Sequence, residues 1–292
     1  MKKITLHFWF DNQAKEASEF YTSLFSNSKI ENITTIKDTP SGDCDIVSFS
    51  LENEPFMAIS AGPHFRINPS ISFFVAFSEE EEISKVYTAL SNGGVSLMPY
   101  DTYPWAEKYA WLQDKYGVSW QLSLSTTHSY TQKITPFLMF TGSVAGKAKE
   151  ALDFYTSIFP NSKTNTVVNY QEGDGDNVGF VKHSQFTLNN QLFMAIDSSL
   201  DHQFNFNEAI SLIVSCDTQD EIDYYWEKLS AVPEAEQCGW LKDKYGVSWQ
   251  ITPIVMDKMM SKGTDKQIEA VTNAFLKMKK FDIKTLEEVY NS

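Results

Sequence analysis

The chain has 292 residues, a net charge of −14 and a pI near 4.8, with 42% hydrophobic and 14% aromatic residues. That is length for about two domains and ample apolar material for their cores. An acidic surface repels phosphate backbones and anionic lipid, which argues against nucleic-acid and membrane-surface partners, and no apolar run approaches a membrane span.

The first predicted element is a strand in which Ile4, Leu6, Phe8 and Phe10 alternate with Thr5, His7 and Trp9. Its apolar stretch ends at Asp11, too short for a signal-peptide core. Asp11 and Asn12 offer capping oxygens to a helix whose apolar face is Ala14, Ala17, Tyr21 and Leu24. β-rich runs follow at 45–51, 56–60 and 70–77, then a helix over about 81–90. A charge run, Glu79 to Glu82, stands at that helix's N-terminus, where the dipole favours it. A Lys-Tyr-Gly turn and a strand over 118–124 close the half. The second half repeats this order: a strand from Ile134, a helix faced by Ala148, Ala151, Tyr155 and Ile158, runs at 178–188, 192–196 and 209–216, a helix over 219–229 and a strand over 247–253.

The repeat is explicit in the letters. WLQDKYGVSWQ at 111–121 and WLKDKYGVSWQ at 240–250 differ at one position of eleven. The unit is domain-sized, so each copy has material for its own core. We place domains at 1–129 and 130–262, joined by the polar stretch Ser125 to Lys133, with an extension over 263–292. In that extension Thr264 and Gln267 fit a capping box, Ile268, Val271, Phe275 and Met278 line one helical face, and Ile283, Leu286 and Val289 line a second. The halves differ in one loop: 19 residues separate Ser91 from Trp111, but 9 separate Ser230 from Trp240. The extra ten include Tyr103 and Trp105, and an aromatic loop on a scaffold suits either ligand contact or packing between halves. Three cysteines, Cys44, Cys216 and Cys238, are odd in number and far apart, which suits a reducing cytoplasm.

The opening ITLHFWFDNQAKEASEFYTSLFSNSKI, the stretch SLIVSCDTQDEIDYYWEKL through EQCGWLKDKYGVSWQITP, and the tail DKQIEAVTNAFLKMKKFDIKTLEEVY resemble PhnB-like proteins. These belong to the vicinal oxygen chelate superfamily of glyoxalase I, ring-cleaving dioxygenases and bleomycin-resistance proteins. The resemblance implies an α+β fold: two tandem domains, each of paired βαβββ modules curled around a pocket, plus a C-terminal helical extension. It also implies an internal pseudo-dimer, the whole chain being a monomer or a homodimer.

Metal-using relatives place His or Gln on each module's first strand and Glu on a last strand. Carried over, the resemblance points to His7 and Phe137, to Ser72 and Ser211, to Gln121 and Gln250, and to Asp197 at the end of the FMAI strand. One imidazole and mostly neutral oxygens are a weak set for a divalent ion, so no cofactor is expected. No nucleophile elbow or phosphate loop is present, and no glycine-rich loop follows a strand as a methyltransferase cofactor would require. On the last strands Ser119 and Gln121, and Ser248 and Gln250, face away from the Trp side. With His7, Trp9, Tyr103 and Trp105 they would line the hollow of each half and bind a small, aromatic molecule. The alternative is a metal-dependent lyase, isomerase or dioxygenase with His7 and Gln121 in one ligand set. A third reading leaves one hollow as a structural partner. Cys238 is expected to be a small buried apolar residue.

Overall fold

A computed structural model describes residues 3–39, 42–126 and 131–292. The first module is β1 (Ile4–Phe10), α1 (Ala14–Leu24), β2 (Lys29–Thr39), β3 (Gly42–Leu51) and β4 (Glu54–Ser60). The second is β5 (Ile71–Phe77), α2 (Glu80–Ser91), β6 (Val95–Tyr103), β7 (Ala106–Gln113) and β8 (Ser119–Leu124). The third is β9 (Ile134–Phe140), α3 (Ala148–Ile158), β10 (Lys163–Asn169), β11 (Val181–Leu188) and β12 (Gln191–Asp197). The fourth is β13 (Ile210–Cys216), α4 (Gln219–Leu229), β14 (Trp240–Lys242) and β15 (Ser248–Pro253), followed by α5 (Ile254–Lys262), α6 (Asp265–Phe275) and α7 (Ile283–Tyr290). The expected domain boundary at 129/130 lies outside the described residues. Among the described residues no helix is long and apolar enough to cross a membrane.

The four modules make two sheets, and neither sheet belongs to one half. The first sheet has the order β14-β15-β13-β1-β4-β3-β2, the second β10-β11-β12-β9-β5-β8-β7-β6. Antiparallel pairing of β1 with β13 sets His7 opposite Ser211, and pairing of β5 with β9 sets Ser72 opposite Phe137. Each sheet is thus half one repeat and half the other.

Each half builds its core between the two sheets. In the first half Phe8 meets Phe73 edge-on at 5.3 Å, and the Tyr21 and Trp120 rings lie 5.3 Å apart. In the second, Phe159 stacks on Trp249 at 5.5 Å and Tyr155 meets the same ring. One buried carboxylate sits at the centre of each core. Asp114 Oδ2 accepts from Tyr21 OH (2.7 Å) and Trp120 Nε1 (2.9 Å), and its Oδ1 from the backbone N–H of Tyr116 and Val118. Asp243 repeats this with Tyr155 (2.7 Å), Trp249 (2.8 Å) and the N–H of Tyr245 and Val247. Burial pushes the Asp243 carboxyl up to about 6, against the pull of its four donors.

Several elements were not legible in the sequence. β2 and β10 are sheet edges with little burial, so KTNTVVN lacks clean alternation. The aromatic loop around Tyr103 and Trp105 is the end of the β6–β7 hairpin. The fourth module has two strands after its helix where the second has three, because its connection is ten residues shorter. The C-terminal extension covers the edge left bare: the N–H groups of Cys238 and Gly239 donate to the carbonyls of Met278 (2.8 Å) and Lys279 (2.7 Å). Gly239 is required there, since its φ is +81° and a Cβ would stand 2.4 Å from the Phe281 ring. Cys238, at φ 50°, is half-buried rather than a core residue. The capping box of Thr264 and Gln267 is formed as expected. Asp11 and Asn12 do not cap α1; Ser60 Oγ does, accepting from Ala14 N–H at 3.1 Å.

Replacing Asp114 by Ala would strand four buried donors, so Asp114→Ala is expected to destabilise the protein by roughly 3–5 kcal/mol, and Tyr21→Phe by only about 1–2 kcal/mol. Urea unfolding monitored by circular dichroism measures both, and equal losses would contradict the carboxylate's central place.

Candidate functional site

Strand alternation decides what lines the face of each sheet turned away from the cores. In β1 the residues Ile4, Leu6, Phe8 and Phe10 are buried in the core, so His7 and Trp9 face the other way. In β13 and β15 the residues Ser211, Ser248 and Gln250 share that face. Gln250 Nε2 donates to Ser211 Oγ (2.9 Å), and Ser211 Oγ lies 3.2 Å from His7 Nδ1. Trp240, opposite Gln250 in the β14–β15 register, sets its ring edge-on to His7 at 5.3 Å and to Trp9 at 5.9 Å. β14 and β1 are separated by two strands, about 14 Å in a flat sheet. Rings that meet across that span mark a curled sheet whose concave face, the hollow, is occupied by Trp240. His7 is 1% exposed, and burial pushes its pKa down to about 3, so the imidazole is neutral.

The second sheet repeats the arrangement with different residues. Gln121 Nε2 donates to Ser72 Oγ at 2.7 Å. Phe137 stands where His7 stands in the first sheet, with His183 of β11 edge-on to it at 6.1 Å. Gln121 Oε1 accepts from Tyr109 OH at 2.7 Å, and Trp111 Nε1 donates to Ser119 Oγ at 2.8 Å. Tyr103 and Trp105 stack at 5.0 Å and meet the Tyr109 ring edge-on.

The residues expected in the first half's hollow are therefore divided between two hollows. His7 and Trp9 join Ser211 and Gln250 of the second half, whereas Ser72, Gln121, Tyr103 and Trp105 join Phe137. A ligand set holding both His7 and Gln121 does not form, because β1 hydrogen-bonds to β13 and not to β5. Asp197 is also displaced from the site. It shares the core-side parity of Phe193 and Ala195, and its carboxylate accepts from the N–H of Ala148 (3.0 Å) and Val181 (2.9 Å), capping α3. Sequence reasoning missed Trp240, Tyr109 and His183. Counting back from Gln250 through the turn would have found Trp240, the first residue of the repeated motif; His183 carries no such signal.

A divalent ion needs several charged or imidazole donors in one place. The first hollow brings together His7, Ser211 and Gln250, with Nδ1 of the imidazole turned to Ser211. The second brings together Ser72, Gln121 and Tyr109. Among the described residues no three His, Cys, Asp or Glu side chains converge. These donor sets do not fit such an ion.

Comparison with known proteins places this geometry. The family model described as 3-demethylubiquinone-9 3-methyltransferase matches residues 2–123 and again residues 132–252. The chain belongs to this PhnB-like family. A solved PhnB protein from Bacillus cereus is 38% identical, over 41% of this chain and 98% of that one, with a TM-score of 0.39. Glyoxalase I from Zea mays is 10% identical over 88% of this chain and 94% of its own, with a TM-score of 0.56, a likeness of fold alone. No curated protein matches the sequence significantly. In this PhnB-like chain the glyoxalase-type fold carries two hollows lined by neutral Ser–Gln pairs.

Two outcomes follow. Above pH 6.5 the folded and unfolded chains both hold His7 neutral. Below it the unfolded chain gains a proton that the folded chain refuses down to about pH 3, so stability falls with pH across that window by about 1.4 kcal/mol per unit. His7→Gln is expected to remove that share of the acid sensitivity, read as melting temperature between pH 7 and pH 5. Asp197→Ala is expected to cost about 1–2 kcal/mol through the lost cap, and metal content or ligand affinity should stay as in the parent protein.

Proposed function

We propose that this PhnB-like chain binds a small, uncharged, aromatic molecule in a hollow lined by Ser, Gln and neutral His, without a catalytic divalent metal. One observation carries the reading: the Gln250–Ser211–His7 chain is buried, hydrogen-bonded and uncharged, and it lies against the rings of Trp9 and Trp240. Neutral donors and acceptors in a low-dielectric hollow orient a polar edge, and the rings hold a flat apolar body. A desolvated imidazole with one nitrogen engaged and no carboxylate beside it is a poor anchor for a cation. The methyl transfer named in the family's description is left out of this reading, because the gathered side chains supply neither a charged anchor for a cofactor nor a nucleophile.

The test has two measurements on the purified full chain. After dialysis against a chelator, elemental analysis should find far less than one Zn, Ni, Mn or Fe per chain. Screening a library of small aromatic compounds by thermal shift should give hits that also perturb tryptophan fluorescence. A stoichiometric ion that resists the chelator and needs His7 would defeat the reading.

A further inference from the structure

We propose that the chain has one ligand site, the hollow of the first sheet, which takes a flat, neutral molecule carrying a carbonyl beside an N–H and opens when Trp240 moves from His7 to Ser248. The proposal rests on the small-molecule reading above and narrows it to one hollow and one chemical class.

The two hollows share a register, so they can be compared atom by atom. In the second sheet the protein satisfies the polar groups of Gln121 and Ser119. Gln121 donates Nε2–H to Ser72 and accepts from Tyr109 OH at Oε1, Ser119 Oγ accepts from Trp111 Nε1, and Phe137 has nothing to offer. Tyr109, itself backed by Tyr103 and Trp105, stands where a ligand would meet Gln121. In the first sheet Cys238 replaces Tyr109, and Gln250 Oε1 makes no hydrogen bond to a described residue.

The hydroxyl of Ser211 sets the direction of the chain. It is fully buried and accepts from Gln250, so its one hydrogen has His7 Nδ1 as its partner. If His7 Nδ1 carried the proton instead, the Ser211 hydrogen would be left buried and unpaired. The imidazole proton therefore sits on Nε2, a donor with no acceptor among the described residues. Nε2–H and Gln250 Oε1 belong to two side chains that both bond Ser211 Oγ, so the pair offers one donor and one acceptor, which an amide or lactam edge complements.

Trp240 stands in the way, and an alternative seat for it is already built. Ser248 is 1% exposed, and its Oγ has no hydrogen-bond partner among the described residues. It is the counterpart of Ser119, which in the second sheet receives the indole N–H of Trp111, the counterpart of Trp240. A buried hydroxyl without a partner is costly, and the indole N–H would satisfy it. Trp111 and Trp240 thus show two positions of one side chain in the same motif: one on the strand serine, the other over His7. The second sheet's buried hydroxyl without a partner among the described residues, Thr135, lies in the same register row as Gln121 with Phe74 between them, and not at the place of Ser248.

Titration calorimetry of the full chain with benzamide tests this, with tryptophan fluorescence recorded alongside. The expected result is saturable binding of one molecule per chain with a change in indole emission. Gln250→Leu should weaken it about tenfold or more, as should His7→Phe, which installs the residue that the second sheet already carries at that place. Ser248→Ala, by removing the second seat of Trp240, should weaken binding several-fold. Circular-dichroism melts show that each variant is folded. Two molecules per chain, loss of binding in Gln121→Leu with retention in Gln250→Leu, or no benzamide binding overturns the proposal. The first two leave the small-molecule reading standing, and only a retained, His7-dependent metal ion defeats that.

Discussion

Everything in this structure hangs on two carboxylates buried away from solvent. Asp114 and Asp243 each collect four donors inside a core of aromatic rings. A buried carboxylate costs several kcal/mol unless its lone pairs are filled, and filling them requires a helix tyrosine, a strand tryptophan and two turn amides at once. The tyrosine's helix packs on one sheet, and the carboxylate lies in a turn between two strands of the other. Each half is thereby clamped across two sheets by a group that tolerates no slack, and the opposite faces of those sheets are left to curl into hollows.

The clamp within each half and the strand pairing between halves do different work. The aromatic cores keep Tyr21 with Trp120 and Tyr155 with Trp249, so each repeat has its own interior. The β1–β13 and β5–β9 ladders then join the repeats edge to edge, which makes the two hollows joint property. Both ladders lie within one chain, so one repeat can change without the other.

Some of the changes fall on the faces turned away from the cores. His7 faces Phe137, Trp9 faces Met139 and Tyr109 faces Cys238 across the comparison of the two sheets. The ten residues lost from the second half remove the strand that would have flanked β14, and the C-terminal segment after α6 supplies backbone acceptors in its place. The extension is thus part of the first sheet's architecture, and the same edge problem is solved once by a hairpin and once by a tail. The result is one concave face with Tyr109 on Gln121 and one with Trp240 against His7.

The sequence by itself determined the duplication, the helices and their apolar faces, the buried strand parity and the capping box at Thr264, because each is a matter of spacing along a few consecutive residues. It also determined the kind of chemistry, since serine, glutamine and one histidine stand at the matched positions whatever their partners. It left edge strands such as 163–169 invisible, because exposed strands need no alternation. Only the tertiary structure decided that His7 meets Gln250 and not Gln121, that Asp197 caps a helix, and that Trp240 covers an imidazole while Trp111 does not. The physical reason is common to all three. An alternating strand specifies which face is apolar but not which strand lies beside it, and that choice is made by the whole core when the two sheets close on their buried carboxylates.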